Sequence, residues 1–169
     1  MKGSTVIWAV AVMLALLLAA EDFLPTPYTA EEIRDAWQVG LQVTTRVRTT
    51  DGEGYSRTEV LEWSEEGFRM SDRAVTTDGE LIDDQVSVYS GTWAELRDHA
   101  KFPVSTTRRE RAERDTPLGK LEGWLYVIRG EDGDSELFFA DGLPGPPLIY
   151  RKSDLGAGDF VAEQVSRRP

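Results

Sequence analysis

Residues Leu41-Gln42-Val43-Thr44-Thr45-Arg46-Val47-Arg48-Thr49 decide the fold. Leu41, Val43, Thr45, Val47 and Thr49 share one parity, and Gln42, Thr44, Arg46 and Arg48 share the other. A period of two puts one set on each face of a β-strand. Asp51-Gly52-Glu53-Gly54 then reads as a turn, and the chain resumes with Tyr55, Leu61 and Trp63 on a common parity, the pattern of a hairpin.

The same signals recur downstream. Glu65-Glu66-Gly67 turns into Phe68, Met70 and Ala74, and Asp78-Gly79 leads to Ile82, Val86 and Val88. Beyond a very polar segment from Val104 to Asp115, a strong strand is expected over Trp124 to Ile128. Asp132-Gly133 turns into Leu137-Phe138-Phe139, and a last pair is expected at Leu148 to Arg151 and Phe160 to Val165. Successive hairpins argue against βαβ units and a Rossmann-type sheet. The fold class expected is mainly β (α+β): a curled antiparallel sheet or incomplete β-barrel of about nine strands with two short helices.

Both helices are announced by capping boxes. Thr29 precedes Glu32 by three residues, with Ile33, Ala36 and Trp37 on one face and Gly40 as the stop. Thr92 precedes Glu95 in the same way, with Trp93, Leu96 and Ala100 on one face before Pro103. Helices of two or three turns cannot stand alone and must lie on the sheet. A curled sheet under short helices presents an apolar hollow, which either packs solid or accepts an apolar guest.

At the front of the chain, Lys2 precedes the unbroken apolar run Val6 to Ala20, which ends in small residues before Glu21-Asp22. This is the layout of a signal peptide. The rival reading is an uncleaved membrane anchor, opposed by the two acids and by Pro25 and Pro27. The expected division is therefore 1–20 signal peptide (or N-terminal membrane anchor), 21–28 linker and 29–169 a single half-barrel-like domain. The protein is expected to be exported, periplasmic or extracellular, or else anchored to the cytoplasmic membrane by the retained segment.

Composition removes several chemistries. Among 169 residues there are 30 acidic and 19 basic side chains, a net charge of −11, with one histidine and no cysteine. Loss of Lys2 with the first twenty residues would give 18 − 30 = −12. Without cysteine there is no disulfide, thiolate nucleophile, thiol-ligated metal or lipid-anchor cysteine. A polyanion repels nucleic acid and anionic headgroups. No cofactor is expected, no nucleic acid, and membrane contact only through residues 6–20 if they are retained.

The candidate ligand lining is aromatic: Trp37, Trp63, Trp93 and Trp124, with Phe68, Phe138, Phe139 and Tyr150. The competing reading of each is an ordinary core residue. Arg108, Arg109, Arg111 and Arg114 are the basic concentration and the candidate partner-binding set. Glu110, Glu113 and Asp115 alternate with them, so the bland account is a solvent-facing strand laced with ion pairs. His99 lacks an oriented carboxylate and a nucleophile, and there is no Gly-x-Ser-x-Gly elbow. Glu65-Glu66, Asp83-Asp84 and Glu131-Asp132-x-Asp134-x-Glu136 fall in expected turns, where water keeps acids ordinary. Asp132-Gly133-Asp134-Ser135-Glu136 has alternating oxygens but not the full calcium loop, since Leu137 and Leu143 hold its sixth and twelfth places. No catalytic residue and no metal ligand is assigned. Leu143-Pro144-Gly145-Pro146-Pro147 reads as a rigid loop that could line a pocket rim.

A string in the second half carries a resemblance. It runs Trp93-x-x-Leu96-Arg97-Asp98-His99-Ala100-Lys101-Phe102-Pro103, then Thr116-Pro117-Leu118-Gly119-Lys120-Leu121-Glu122-Gly123-Trp124-Leu125-Tyr126, and closes with Phe138-Phe139-Ala140-Asp141-Gly142-Leu143-Pro144-Gly145-Pro146-Pro147. Residues 92–150 resemble uncharacterised secreted bacterial proteins with the half-barrel fold of the LolA/LolB-like lipoprotein carriers. That superfamily wraps helices in an incomplete antiparallel barrel, sheltering acyl chains or serving as a periplasmic sensor module as in RseB-like proteins. The resemblance implies a fold and apolar binding, and brings no catalytic residues. The leading expectation is an exported non-enzymatic protein that binds a lipid or an acylated protein in the bacterial envelope, burying apolar surface at roughly 25 cal/mol per Å². The alternatives are a solid-cored interaction or sensor module with an envelope protein partner, and a hydrolase.

Overall fold

Local chemistry sets both helices. Thr29 caps α1 (Ala30–Ala36): its hydroxyl accepts from the Glu32 amide at 3.1 Å while the Glu32 carboxylate accepts from the Thr29 amide at 2.7 Å. Thr92 and Glu95 repeat the arrangement at α2 (Trp93–Asp98), with distances of 3.1 and 2.7 Å. Each box satisfies amides that would otherwise be orphaned at a helix start.

The computed structural model describes residues 21–154 and 158–169; the expected signal peptide, 1–20, lies outside them. The strands are β1 (Gln42–Thr49), β2 (Gly52–Trp63), β3 (Gly67–Val75), β4 (Ser87–Thr92), β5 (Thr107–Thr116), β6 (Gly119–Ile128), β7 (Ser135–Ala140), β8 (Ile149–Asp154) and β9 (Gly158–Arg168). Among the described residues these nine form one antiparallel sheet in the order β4-β3-β2-β1-β9-β8-β7-β6-β5. Two meanders, β1–β4 and β5–β9, meet where β1 pairs with β9 from Gln42↔Arg168 to Arg48↔Val161. The sheet does not close, so β4 and β5 are its two edges.

Alternation then decides which face each side chain takes. Val43, Val60, Met70, Tyr126 and Phe139 point into the hollow and form one core with Ile33 and Trp37 of the α1 region and Trp93 of α2. Leu125, Phe138, Ala140, Leu148 and Ile149 form a second cluster on the other face. Phe138 therefore leaves the expected lining: as a strand neighbour of Phe139 it must face the opposite way. Tyr55 also leaves the parity of Trp63. A bulge between Val60 and Glu62 inserts Leu61, which lies at the surface, and reverses the alternation beyond it.

Two further expectations change. The Asp78-Gly79 hairpin does not run directly into a strand at Ile82. Only the isolated bridge Val75↔Leu81 forms there, and β4 starts at Ser87. The Asp83 carboxylate accepts from the Gln85 amide at 2.8 Å, a local turn that interrupts the extended run. Residues 21–28, expected as a linker, are stitched to the body. Phe23 bridges Pro103, and the Leu24 amide donates to the Phe102 carbonyl at 2.9 Å. The reason lies in the tyrosines: Tyr126 donates to the Pro25 carbonyl at 2.6 Å, and Tyr28 to the Ala140 carbonyl at 2.5 Å.

Three indoles of the hollow make similar ties. Trp37 donates to the Pro144 carbonyl at 2.7 Å, Trp63 to the Arg34 carbonyl at 3.1 Å and Trp93 to the Ser64 carbonyl at 2.9 Å. Each buried ring thus keeps its polar tip bonded, avoiding the penalty for an unpaired buried donor.

These ties predict a pH dependence. Burial pushes the Tyr126 phenol from 10.0 up to about 12, and burial likewise raises Tyr28, with Asp141 adding to it. Between those values the unfolded chain ionises its tyrosines while the native protein holds the protons. Stability is therefore full below pH 10 and falls as the pH rises toward about 12. Urea titrations across that range should show the loss, and Tyr126→Phe should reduce its slope while costing about 1 kcal/mol at neutral pH. A second prediction concerns the proline loop. A Cβ on Gly145, at φ +137°, would collide with the Trp37 indole, whereas one on Gly142, at φ +74°, would meet nothing. Gly145→Ala should cost roughly 2–4 kcal/mol in urea unfolding and Gly142→Ala only about 1–2 kcal/mol.

Candidate functional site

The remaining space in the hollow lies between the centre of the sheet, α2 and the proline loop. It is a pocket of about 230 Å³ whose walls include Val43, Met70, Tyr89, Leu96, Pro147 and Tyr150. Strand alternation brings Val43, Met70 and Tyr89 to one side, since Met70 pairs with Val60 on β2 and with Tyr89 on β4. The Tyr89 hydroxyl donates to Met70 Sδ at 3.7 Å, and burial followed by the Asp72 charge raises its pKa.

Thr45, Thr58 and Gln164 add polar groups to the lining. Gln164 donates from Nε2 to the carbonyls of Pro146 and Pro147, both at 3.2 Å, while its buried Oε1 has no partner among the described residues. Behind the loop, Arg167 lies 5.3 Å from the Trp37 ring and donates to the carbonyls of Pro144 at 3.3 Å and Ala36 at 3.4 Å. Burial lowers its pKa, with the Tyr28 interaction opposing. These bonds fix the proline loop as a rigid rim.

The expected aromatic lining is mostly core. Trp37 and Tyr150 border the pocket, and Trp93 and Phe139 are buried in the packing beneath it. Trp63 and Phe68 close the end near α2, where Phe68 stands 4.9 Å from Trp93 between ring centroids. Trp124 is half-buried under arginine, and Phe138 faces away. Met70, Leu96 and Gln164, absent from the expected lining, do border it. Their signal was present for Met70 and Leu96, which share parity or helical face with Phe68 and Trp93. Nothing local marks Gln164.

The four expected partner arginines divide between two faces of β5. Arg109 and Arg111 pair with Tyr126 and Trp124 and point into the hollow. The Arg109 guanidinium sits 3.6 Å above the Trp124 ring, and Arg111 lies 4.9 Å from it while forking onto Asp141 at 2.9 and 2.5 Å. That fork holds the Asp141 carboxyl below its ordinary value and raises Arg111. Arg108 and Arg114 take the other face, where Arg108 reaches Glu110 at 3.5 Å. So β5 is an edge covered by charge, with Arg108 and Arg111 paired to acids and Arg109 stacked on Trp124.

His99 is exposed at the C-terminus of α2, and Glu65, Glu66, Asp83, Asp84, Glu131, Asp132 and Asp134 are exposed in turns. Among the described residues no three potential metal ligands converge. The other edge contrasts with β5. Ten consecutive residues, 81–90, are exposed. Leu81, Ile82, Val86, Val88 and Tyr89 supply five of the nine exposed large apolar side chains of the described residues, so this is where exposed apolar surface concentrates.

No family model matches the sequence, and no curated protein matches it. Among solved structures, the chain is similar to MucB in the MucA/MucB complex of Pseudomonas aeruginosa, with a TM-score of 0.53 at 13% identity over 82% of this chain and 54% of that one. A second structure of MucB in complex with MucA gives 0.54 at 14% identity, covering 82% and 53%. The chain thus spans about half the length of those proteins. A provisionally described exported protein with a YmcC-like fold from Bacteroides fragilis follows at 0.44 and 8% identity, covering 89% of this chain and all of that one. A provisionally described outer membrane lipoprotein-sorting domain from Vibrio parahaemolyticus gives 0.27 at 7% identity over 83% and 93%. The last two are too distant to argue from. At these identities, the likeness to MucB is one of fold.

Proposed function

We propose that this protein is a non-catalytic binding module working outside the cytoplasmic membrane, and that it captures an extended segment of an envelope protein along β4. The observation that carries this reading is the exposed apolar edge at residues 81–90. An unguarded edge strand offers unpaired amides and carbonyls to an incoming strand, and natural edges are normally blunted by charge or proline. Edge β5 is blunted in that way, with arginine and glutamate alternating along it; β4, Ser87-Val88-Tyr89-Ser90-Gly91-Thr92, carries no charge at all. Asp78, Glu80, Asp83 and Asp84 flank it, so the segment it takes has apolar residues alternating with basic ones. The solved MucB complexes, in which that protein holds MucA, support a protein as partner.

A second reading keeps the apolar ligand. The pocket of about 230 Å³ has a largely apolar wall, but it is below the roughly 300–1,000 Å³ of ordinary small-molecule sites. It suits one side chain of the incoming segment, or a short apolar group, better than an acyl chain.

The test uses a ten-residue peptide alternating valine and lysine and follows amide exchange. The expected result is slowed exchange in β4 and not in β5, with binding weakened about tenfold by Val88→Lys, the effect of a charge set on an edge. Equal protection of both edges, or none, would overturn the strand-capture reading. Native mass spectrometry of the purified protein separates the alternative, because a co-purifying lipid would return the hollow to the leading place.

A further inference from the structure

The convex face carries a second cleft, of about 400 Å³. Its floor is set by register. On β1, Gln42, Thr44 and Arg46 alternate onto this face, with Arg46 opposite Tyr55 and Thr44 opposite Arg57 on β2. Across the other seam Thr44 lies opposite Ser166, and Gln42 opposite Arg168 of β9. The walls come from Thr77-Asp78-Gly79 and from Pro117 at the β5–β6 turn. Three guanidinium groups, three hydroxyls and an amide thus share one floor.

The charge balance of this spot runs against the rest of the chain. The protein has eleven more acids than bases, yet Asp78 is the one carboxylate lining the cleft. Arg46 is held by Glu163, at 2.6 Å, and its Nε is buried with no partner among the described residues. Arg57 donates to the Gly79 carbonyl, which fixes its fork at the wall. It also stands directly opposite Arg73, whose own Nε is buried and unpaired among the described residues. Like charges set opposite each other across two strands are destabilising. Arg168 makes no ion pair among the described residues and is exposed at the rim.

We propose that this cleft binds a phosphate group, carried by a small polar molecule or by a headgroup. Guanidinium forks match the oxygens of a phosphate in pairs, and charge-assisted hydrogen bonds are the strong ones. Arg168 supplies a fork with no ion pair among the described residues, Arg57 the N–H groups that the Gly79 carbonyl does not take, Thr44 and Ser166 hydroxyl donors, and Arg46, already paired with Glu163, its remaining N–H donors. A bound dianion also offsets the repulsion between Arg57 and Arg73. This site lies on the opposite face from the hollow, and its occupancy is independent of strand capture at β4.

The experiment titrates the full chain with inorganic phosphate, glycerol phosphate and vesicles of phosphatidylglycerol or phosphatidylcholine, read by calorimetry and by thermal unfolding. Saturable binding of phosphate or glycerol phosphate identifies a soluble source. Binding of phosphatidylglycerol vesicles alone identifies a headgroup. Arg57→Gln and Arg168→Gln should each weaken binding about tenfold or more, the loss of one charge-assisted hydrogen bond, while Arg108→Gln, on the far edge, leaves it unchanged. Binding of none of the probes, or equal binding by Arg57→Gln and the parent, would overturn the proposal.

Discussion

Everything in this molecule hangs on aromatic side chains that are buried by their rings and bonded by their tips. Trp37, Trp63, Trp93, Tyr28 and Tyr126 each place a large apolar surface in the hollow and donate to a backbone carbonyl on a different segment. Burial supplies the driving force, and the carbonyl acceptors remove the penalty that a buried N–H or O–H would otherwise carry. Because each acceptor lies far along the chain, the same bonds fix where α1, α2, the proline loop and residues 22–28 sit. Helices of seven and six residues have little stability of their own. They exist because the sheet gives them a dry surface and their tryptophans hold them to it.

An open sheet filled in this way leaves its edges as the variable part. The meanders β1–β4 and β5–β9 are each local, and the one long-range join between them is β1 against β9. That seam buries Glu163, 6% exposed, which accepts Arg46 at 2.6 Å and Arg48 at 3.0 Å. A buried carboxylate without such partners would be very costly, so its arginines specify the register of the seam. The far ends need no such device. One is covered by alternating charge, and the other is left bare.

The fold was legible where local chemistry and pattern agreed. The capping boxes at Thr29 and Thr92 place both helices, and the alternation from Leu41 to Thr49 gives β1 and its faces. Legibility failed where one residue resets a pattern. Leu61, as a bulge, reverses parity between Tyr55 and Trp63, and no composition signal marks it. Phe138 was open to correction from the sequence, since neighbours in a strand cannot both face the hollow. Sites were harder to read than elements. The arginine cleft collects residues from five segments and the pocket from more, and only the β1·β9 register brings Arg168 beside Gln42. The run at 108–114 looked basic because its arginines are adjacent in sequence, yet the structure splits them between faces and pairs Arg111 with an acid. Arg46, Arg57 and Arg168 are scattered in sequence and gathered in space.

A packed hollow and a bare edge also belong together physically. A carrier needs an interior that empties and refills, so its plug must separate from its sheet at low cost. Here five polar tips and an aromatic core oppose that separation, and Gly145 leaves the Trp37 indole no slack against the loop. Rigidity of this kind suits a surface template. An incoming strand loses its own conformational freedom on pairing, and the less the receiving edge must also be ordered, the more of the hydrogen-bond and apolar gain survives as affinity. Since β4 is backed by β3 along its whole length and by Met70 and Trp93 beneath, it is already in the pairing conformation. Under the proposed strand capture, a rigid interior of this kind is what would make the edge usable.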